Sequence, residues 1–228
     1  DFLKPARSGR VKTPAMPQKH YKNTSMQIQN RTVYTIEPLD GQTQTHMIYF
    51  HGGGYSLEVS GLHFALMKTL VKKTGCPLTY VDYPLAPEHT ATEAVSMCLE
   101  TYEKLLELYP NRRFVLVGDS AGGGLALALA MKIRDDATAE KVLPGRSGRL
   151  EGPVRIILFS PWLDISLSNR RIPEFESRDV ILETSGLRKI AEIYRGDLPA
   201  DHYLVSPKFG DLTGLGPIDV FYGTEEIL

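Results

Sequence analysis

Residues 114–131 read FVLVGDSAGGGLALALAM, and few folds accept such a stretch. Phe114, Val115, Leu116 and Val117 form a short apolar run closed by Gly118. A run of that length and composition suits a strand buried on both faces. Residues 125–131 are seven consecutive Ala, Leu and Met residues. They are strong helix formers and leave no polar face, as a buried helix requires. Between the two runs lies Gly118-Asp119-Ser120-Ala121-Gly122. A G-x-S-x-G at a strand-to-helix turn is the pattern of a nucleophile elbow, with the serine held in a sharp turn and its hydroxyl clear of the backbone. The bare pentapeptide would also suit an ordinary turn. Its weight comes from the strand before it and the helix after it. A phosphate loop does not fit, because Gly123 and Gly124 lead into Leu125 and not into Lys-Ser or Lys-Thr.

A second glycine cluster follows another short apolar run, Met47, Ile48, Tyr49 and Phe50, and reads His51-Gly52-Gly53-Gly54. Three adjacent glycines are conformationally costly. Their use is to let backbone N–H groups approach a ligand closely, and one such donor aimed at an oxyanion is worth roughly 3–4 kcal/mol in acyl transfer. Alone the segment is also compatible with a plain flexible loop. Beside an elbow it reads as the other half of an oxyanion hole.

The rest of the chain alternates strands and helices. Residues 25–29 and 31–37 alternate in polarity and suit edge strands, with a turn at Pro38-Leu39-Asp40-Gly41. Residues 61–73 predict a helix with Leu62, Ala65, Leu66, Thr69 and Leu70 on one face, ended by Gly75 and Pro77. Strands are expected at 78–81, 154–159 and 218–222, and an amphipathic helix at 91–109 carries Val95, Cys98, Leu99, Tyr102, Leu105, Leu106 and Tyr109 at helical spacing. A polar loop is expected at 135–152, charge-rich turns around Asn169-Arg170-Arg171, and a helix at 185–194. Such alternation predicts an α/β fold with a mostly parallel sheet, helices on both faces and ligands beyond the carboxyl ends of the strands. His51, Ser120, Trp162 and Glu226 follow strand ends and should share that rim. Residues 1–23, polar and basic, read as a lead-in or cap segment, 24–228 as the main domain, and 165–201 as a cap insertion.

With 228 residues, 42% hydrophobic and 23% charged, the chain can bury a full core. A net charge of −1 gives no strong attraction to nucleic acid or an anionic membrane. Seven apolar residues in a row fall far short of the ~20 needed to span a bilayer. Two cysteines, Cys76 and Cys98, imply no disulfide framework, and two reduced thiols in the cytoplasm are the expectation. No H-E-x-x-H or clustered His/Cys spacing suggests a metal hydrolase.

Four motifs together resemble the hormone-sensitive-lipase-like family of α/β-hydrolases. They are His51-Gly52-Gly53-Gly54, Asp82-Tyr83-Pro84-Leu85-Ala86-Pro87-Glu88-His89, Gly118-Asp119-Ser120-Ala121-Gly122-Gly123, and Ser160-Pro161-Trp162-Leu163-Asp164, in family order over most of 47–228. The resemblance implies an α/β-hydrolase fold and an esterase or lipase without metal or organic cofactor. Ser120 would be the nucleophile. The N–H groups of Ala121, Gly53 and Gly54, with Gly52 as a further candidate, would hold the oxyanion. Glu226, in Gly223-Thr224-Glu225-Glu226, would be the triad acid, with Glu225 the alternative one position away. His51 would orient the glycine loop, and His89 would tie loops together. Asp119 is expected to be structural and Asp164 to brace a strand end. Tyrosine and phenylalanine in the inserted region are candidates for an acyl pocket, or merely for its packing.

The family's catalytic histidine lies after the acid, yet all six histidines, at 20, 46, 51, 63, 89 and 202, precede Glu226. Without a base a serine hydroxyl is a weak nucleophile. The expectation is therefore a chain truncated at its C-terminus. The expected function is a serine carboxylic-ester hydrolase working through an acyl-enzyme on a small-molecule ester, and the protein is expected to form a homodimer. Two alternatives are a small-molecule receptor on the same scaffold and an amide hydrolase such as an arylformamidase.

Overall fold

Short Val- and aromatic-rich runs become the central strands, because each buries side chains on both faces of one sheet. The computed structural model of the protein describes residues 15–40, 43–138 and 151–228. In chain order the strands are β1 (Tyr21–Ile28), β2 (Arg31–Pro38), β3 (Thr45–Phe50), β4 (Leu78–Val81), β5 (Arg113–Asp119), β6 (Arg155–Phe159) and β7 (Ile218–Phe221). They assemble in the order β1-β2-β4-β3-β5-β6-β7. From β4 to β7 the pairing is parallel, while β1 with β2 and β2 with β4 are antiparallel. The helices are α1 (Gly61–Thr74), α2 (Ala91–Leu108), α3 (Ser120–Thr138), α4 (Ile172–Phe175) and α5 (Thr184–Arg195).

The alternation of strand side chains divides the core between two faces. Met47 and Tyr49 of β3 and Val115 and Val117 of β5 pack with Met67 and Val71 of α1. Ile48 and Phe50, with Phe114 and Leu116, pack instead against α2 and α3. Along α3 every residue from Ala121 to Met131 is buried, which is why its sequence shows no polar stripe.

Several expectations needed correction. In α1 the buried residues are Met67 and Val71, while Leu62 is 82% exposed and Ala65 and Thr69 are also exposed. The inward face runs through Phe64, Leu66, Met67, Leu70 and Val71, so of the expected stripe Leu66 and Leu70 reach the core while the centre of the face is rotated toward Met67 and Val71. β2 is no edge strand, because β1 covers one side and β4 the other. Tyr21, Lys22 and Asn23 belong to β1 and not to a lead-in. Of the loop expected at 135–152, residues up to Thr138 continue α3, and 139–150 lie outside the described residues, as do Gly41 and residues 1–14.

The glycines of the elbow are required by contact. A Cβ on Gly122 would collide with the carbonyl oxygens of Phe50 and His51, and one on Gly118 with the backbone of Gly122 and Gly123. Neither obstacle is a side chain that could swing away. Gly61, by contrast, opens α1 with no atom within 4 Å of where its Cβ would stand. Gly122→Ala is expected to lower stability by about 3 kcal/mol or more, and Gly61→Ala to raise it by about 0.5 kcal/mol. Urea unfolding midpoints of the two variants measure both, and equal midpoints would refute the contact account.

Candidate active site

Strand register brings the two glycine motifs together. β3 pairs with β5 through Phe50 opposite Gly118, so the next residues, His51 and Gly52, run alongside Asp119 and Ser120. On the other side Asp119 pairs with Phe159 of β6, and Ser160 follows. The parallel strands β4, β3, β5, β6 and β7 all end at this rim.

Ser120 has φ +50, a left-handed conformation that few non-glycine residues adopt. It is the first residue of α3, and its carbonyl accepts a hydrogen bond from Trp162 N–H at 2.8 Å. Ala121 lies in the first turn of α3, where a backbone N–H has no partner within the helix. Gly53 and Gly54 have φ +119 and +59, which glycine adopts without strain. Gly53 uses its carbonyl to accept from Leu57 N–H at 2.9 Å and from Ser56 N–H at 3.1 Å, a tight turn that fixes the loop. Gly52 is different: its N–H donates to Asp119 Oδ1 at 3.0 Å. That N–H is already used, so Gly52 drops out as a candidate oxyanion donor.

Asp119 links the two motifs. Oδ1 accepts Gly52 N–H and, at 2.5 Å, the hydroxyl of Tyr49. Oδ2 faces His63 Nε2 at 3.3 Å. His63 Nδ1 accepts the N–H of Ser60 at 2.9 Å, so Nε2 carries the proton given to Asp119. One carboxylate thus joins β3, the glycine loop, the elbow and the start of α1. Burial works to raise its pKa, but the hydrogen bonds from His63, Tyr49 and the Gly52 N–H hold it below the usual carboxylate value. Sequence reasoning named Asp119 as structural without finding Tyr49 or His63. The signals were there, since Tyr49 is the last residue but one of the strand before the glycine loop and His63 lies in the first turn of the helix after it.

His51 is completely buried, and its Nδ1–H donates to the Gly52 carbonyl at 2.6 Å. Its ring stacks on Tyr83 at 4.7 Å, and the Tyr83 hydroxyl donates to the His51 carbonyl at 2.7 Å. Burial pushes its pKa down to about 4, so the ring is neutral near pH 7 and orients the loop, as expected. His89 is corrected: among the described residues its ring pairs with Glu93, four residues on in the first turn of α2, at 3.0 Å, and not with a separate loop. His46, at the opposite end of β3, contacts Thr79 and Arg112. His202 Nδ1 accepts Leu204 N–H.

Asp164 folds the segment after β6. Its carboxylate accepts from the N–H and hydroxyl groups of Ser166 and Ser168 and pairs with Lys208 at 2.6 Å. Although burial opposes it, these partners hold its pKa well below the ordinary carboxylate value. Glu226 follows β7, and its Oε1 accepts Gly223 N–H at 2.9 Å. β7 stands two strands from β5, roughly 10 Å at ordinary strand spacing. Glu225 turns instead to Arg178, between α4 and α5, at 2.9 Å.

The depressed pKa of Asp119 has a defined sign. Its contribution to stability is complete above the unfolded carboxylate pKa near 4 and is lost as pH falls through the lower folded value. Asp119→Asn is therefore expected to cost about 2 kcal/mol at pH 7. The gap between variant and parent should close as pH falls below the unfolded carboxylate value of about 4, read by urea unfolding at each pH. A gap independent of pH would mean that charge is not what the three donors require.

Residues 47–228 match the family described as alpha/beta hydrolase fold. An acetyl-hydrolase of Streptomyces hygroscopicus is 34% identical over 190 residues, covering 83% of this chain and 58% of the relative. An esterase of Acinetobacter venetianus is 34% identical over 184 residues, covering 80% of this chain and 57% of the relative. The chain thus spans less than three fifths of the length of these two relatives. The crystal structure of a hormone-sensitive lipase from a metagenome library superposes with a TM-score of 0.77 at 30% identity, covering 94% of this chain and 70% of the other. The left-handed serine on its strand-to-helix turn, the glycine loop bound beside it and these matches agree: the chain belongs to the α/β-hydrolase family, on its hormone-sensitive-lipase-like branch.

Proposed function

We propose that the protein is a serine carboxylic-ester hydrolase that forms an acyl-enzyme on Ser120. The observation that carries this reading is the pairing of Ser120, at φ +50, with a glycine loop whose Gly52 is bound to the neighbouring Asp119. In the proposed reaction Ser120 Oγ attacks the ester carbonyl carbon while its proton passes to an imidazole base. The carbonyl oxygen becomes an anion facing the N–H groups of Gly53, Gly54 and Ala121. Collapse of the tetrahedral species expels the alcohol, which takes the proton from the imidazolium. Water then repeats the sequence on the acyl-enzyme and releases the carboxylic acid.

Glu226 is the proposed acid that orients the imidazole. Glu225 is less suited, since it is 60% exposed and paired with Arg178. Among the described residues both nitrogens of His63 are engaged, with Asp119 and Ser60, and His51 is buried beneath the loop. Neither is the proposed base. Residues 165–201, with α4 and α5, are proposed as a cap, because they leave the sheet after β6 and return only before β7.

The relatives named acetyl-hydrolase and esterase support an ester substrate over an amide. No metal or organic cofactor enters this reaction. A cytoplasmic location and a homodimer belong to the reading. Both cysteines are free, and no described helix is long and apolar enough to cross a membrane.

The decisive measurement is hydrolysis of a short-chain p-nitrophenyl ester by the full protein. Ser120→Ala should lower kcat by about 10⁴-fold or more. Glu226→Gln should lower it by about 10³- to 10⁴-fold, with Glu225→Gln within about twofold of the parent. Undiminished turnover in Ser120→Ala would refute the mechanism. Saturable ester binding without turnover by the parent would favour a receptor.

A further inference from the structure

Beneath the glycine loop lies an aromatic stack that the reaction as described does not use. Tyr55 directly follows Gly54 and has φ +61, so three consecutive residues, Gly53, Gly54 and Tyr55, are left-handed. For a bulky residue this conformation is strained, and it persists only where surrounding contacts impose it. The Tyr55 ring is buried and lies face to face with Tyr194 of α5, with centroids 3.7 Å apart and planes within 3°. Its other neighbour is Trp162, at 5.7 Å. Trp162 is the residue whose N–H holds the Ser120 carbonyl. Gly124, in the elbow helix, leaves room for this arrangement: a Cβ there would meet the Tyr55 hydroxyl and the Trp162 carbonyl.

The contact from α5 is double. Ile190 Cγ2 stands 4.0 Å from where a Cβ of Gly54 would be, one turn along α5 from Tyr194. Leu187, Ile190, Ala191 and Tyr194 form the buried stripe of that helix. Tyr194 is fully buried, yet its hydroxyl has no hydrogen-bond partner among the described residues. A phenylalanine would fill the core without stranding a polar atom, so the part of Tyr194 that its neighbours use is the planar face.

We infer that Tyr194 is a positioning residue for ester hydrolysis: its ring, stacked on Tyr55, holds the left-handed Gly53-Gly54-Tyr55 backbone with its N–H groups directed at the Ser120 site. The inference rests on the proposed role of Ser120 and the glycine loop. It gives α5 a part in the chemistry beyond covering the site, since the helix that lies over the loop also sets its conformation.

The test uses the full protein and p-nitrophenyl acetate. Tyr194→Leu should lower kcat by about tenfold or more, since small misplacement of reacting groups costs up to about 10²-fold, while KM stays within about threefold. Tyr194→Phe should restore kcat and raise Tm. A trifluoromethyl ketone, whose carbonyl takes up the serine oxygen to give an oxyanion adduct, should bind Tyr194→Leu more weakly by a similar factor, while inhibition by a simple alcohol is unchanged. A merely structural residue would not divide the two inhibitors. If Tyr194→Leu fails to fold, Tyr194→Met fills similar space without a planar face. A folded Leu or Met variant with kcat within twofold of the parent overturns the inference. Should Ser120→Ala be inactive in that case, the hydrolase reading survives. Should Ser120→Ala remain active, both fall.

Discussion

Everything at the rim depends on how closely α3 approaches the end of β3. Gly122 lies against the carbonyls of Phe50 and His51, and Gly118 against the backbone of Gly122 and Gly123, with no space for a Cβ at either place. That approach sets the turn at Ser120, brings the glycine loop beside it and leaves α3 buried on every side from Ala121 to Met131. The hydrophobic effect supplies the force, since Leu125, Leu127, Leu129 and Met131 all reach the core. The glycines set the distance at which that force is balanced.

At this distance electrostatics completes the arrangement. Two loops ending adjacent parallel strands carry unpaired backbone groups, and a buried N–H left unpaired is costly. Asp119 resolves this by accepting from Gly52, Tyr49 and His63 together. A carboxylate suits the position better than a neutral acceptor because hydrogen bonds to a charged group are the stronger ones. His51 works in the opposite sense: kept neutral by burial, it can donate from Nδ1 without the cost of a buried charge.

The aromatic stack adds a second support from the far side of the loop. Asp119 holds the loop at Gly52, and Tyr194 meets it at Tyr55, so the two residues between, Gly53 and Gly54, are fixed at both ends. A loop of three glycines would otherwise sample many conformations, and the entropy lost in holding one is borne by its neighbours.

The sequence by itself determined the α/β class, the strands at the two glycine motifs, the buried elbow helix and the place of Ser120 at the turn between them, because local periodicity and glycine spacing encode each of them. It also placed His51 and Asp119 in structural roles. Tertiary structure alone decided that the Gly52 N–H is taken, since only the β3–β5 register brings Gly52 to Asp119. It likewise decided the face that α1 buries: Leu62 is as apolar as Met67 and Val71 yet stands exposed, and only the sheet beneath selects among them. The partnership of Tyr55, Trp162 and Tyr194 joins residues far apart in the chain with no shared period. Sequence patterns report neighbours along one element, whereas contacts between elements are fixed by packing.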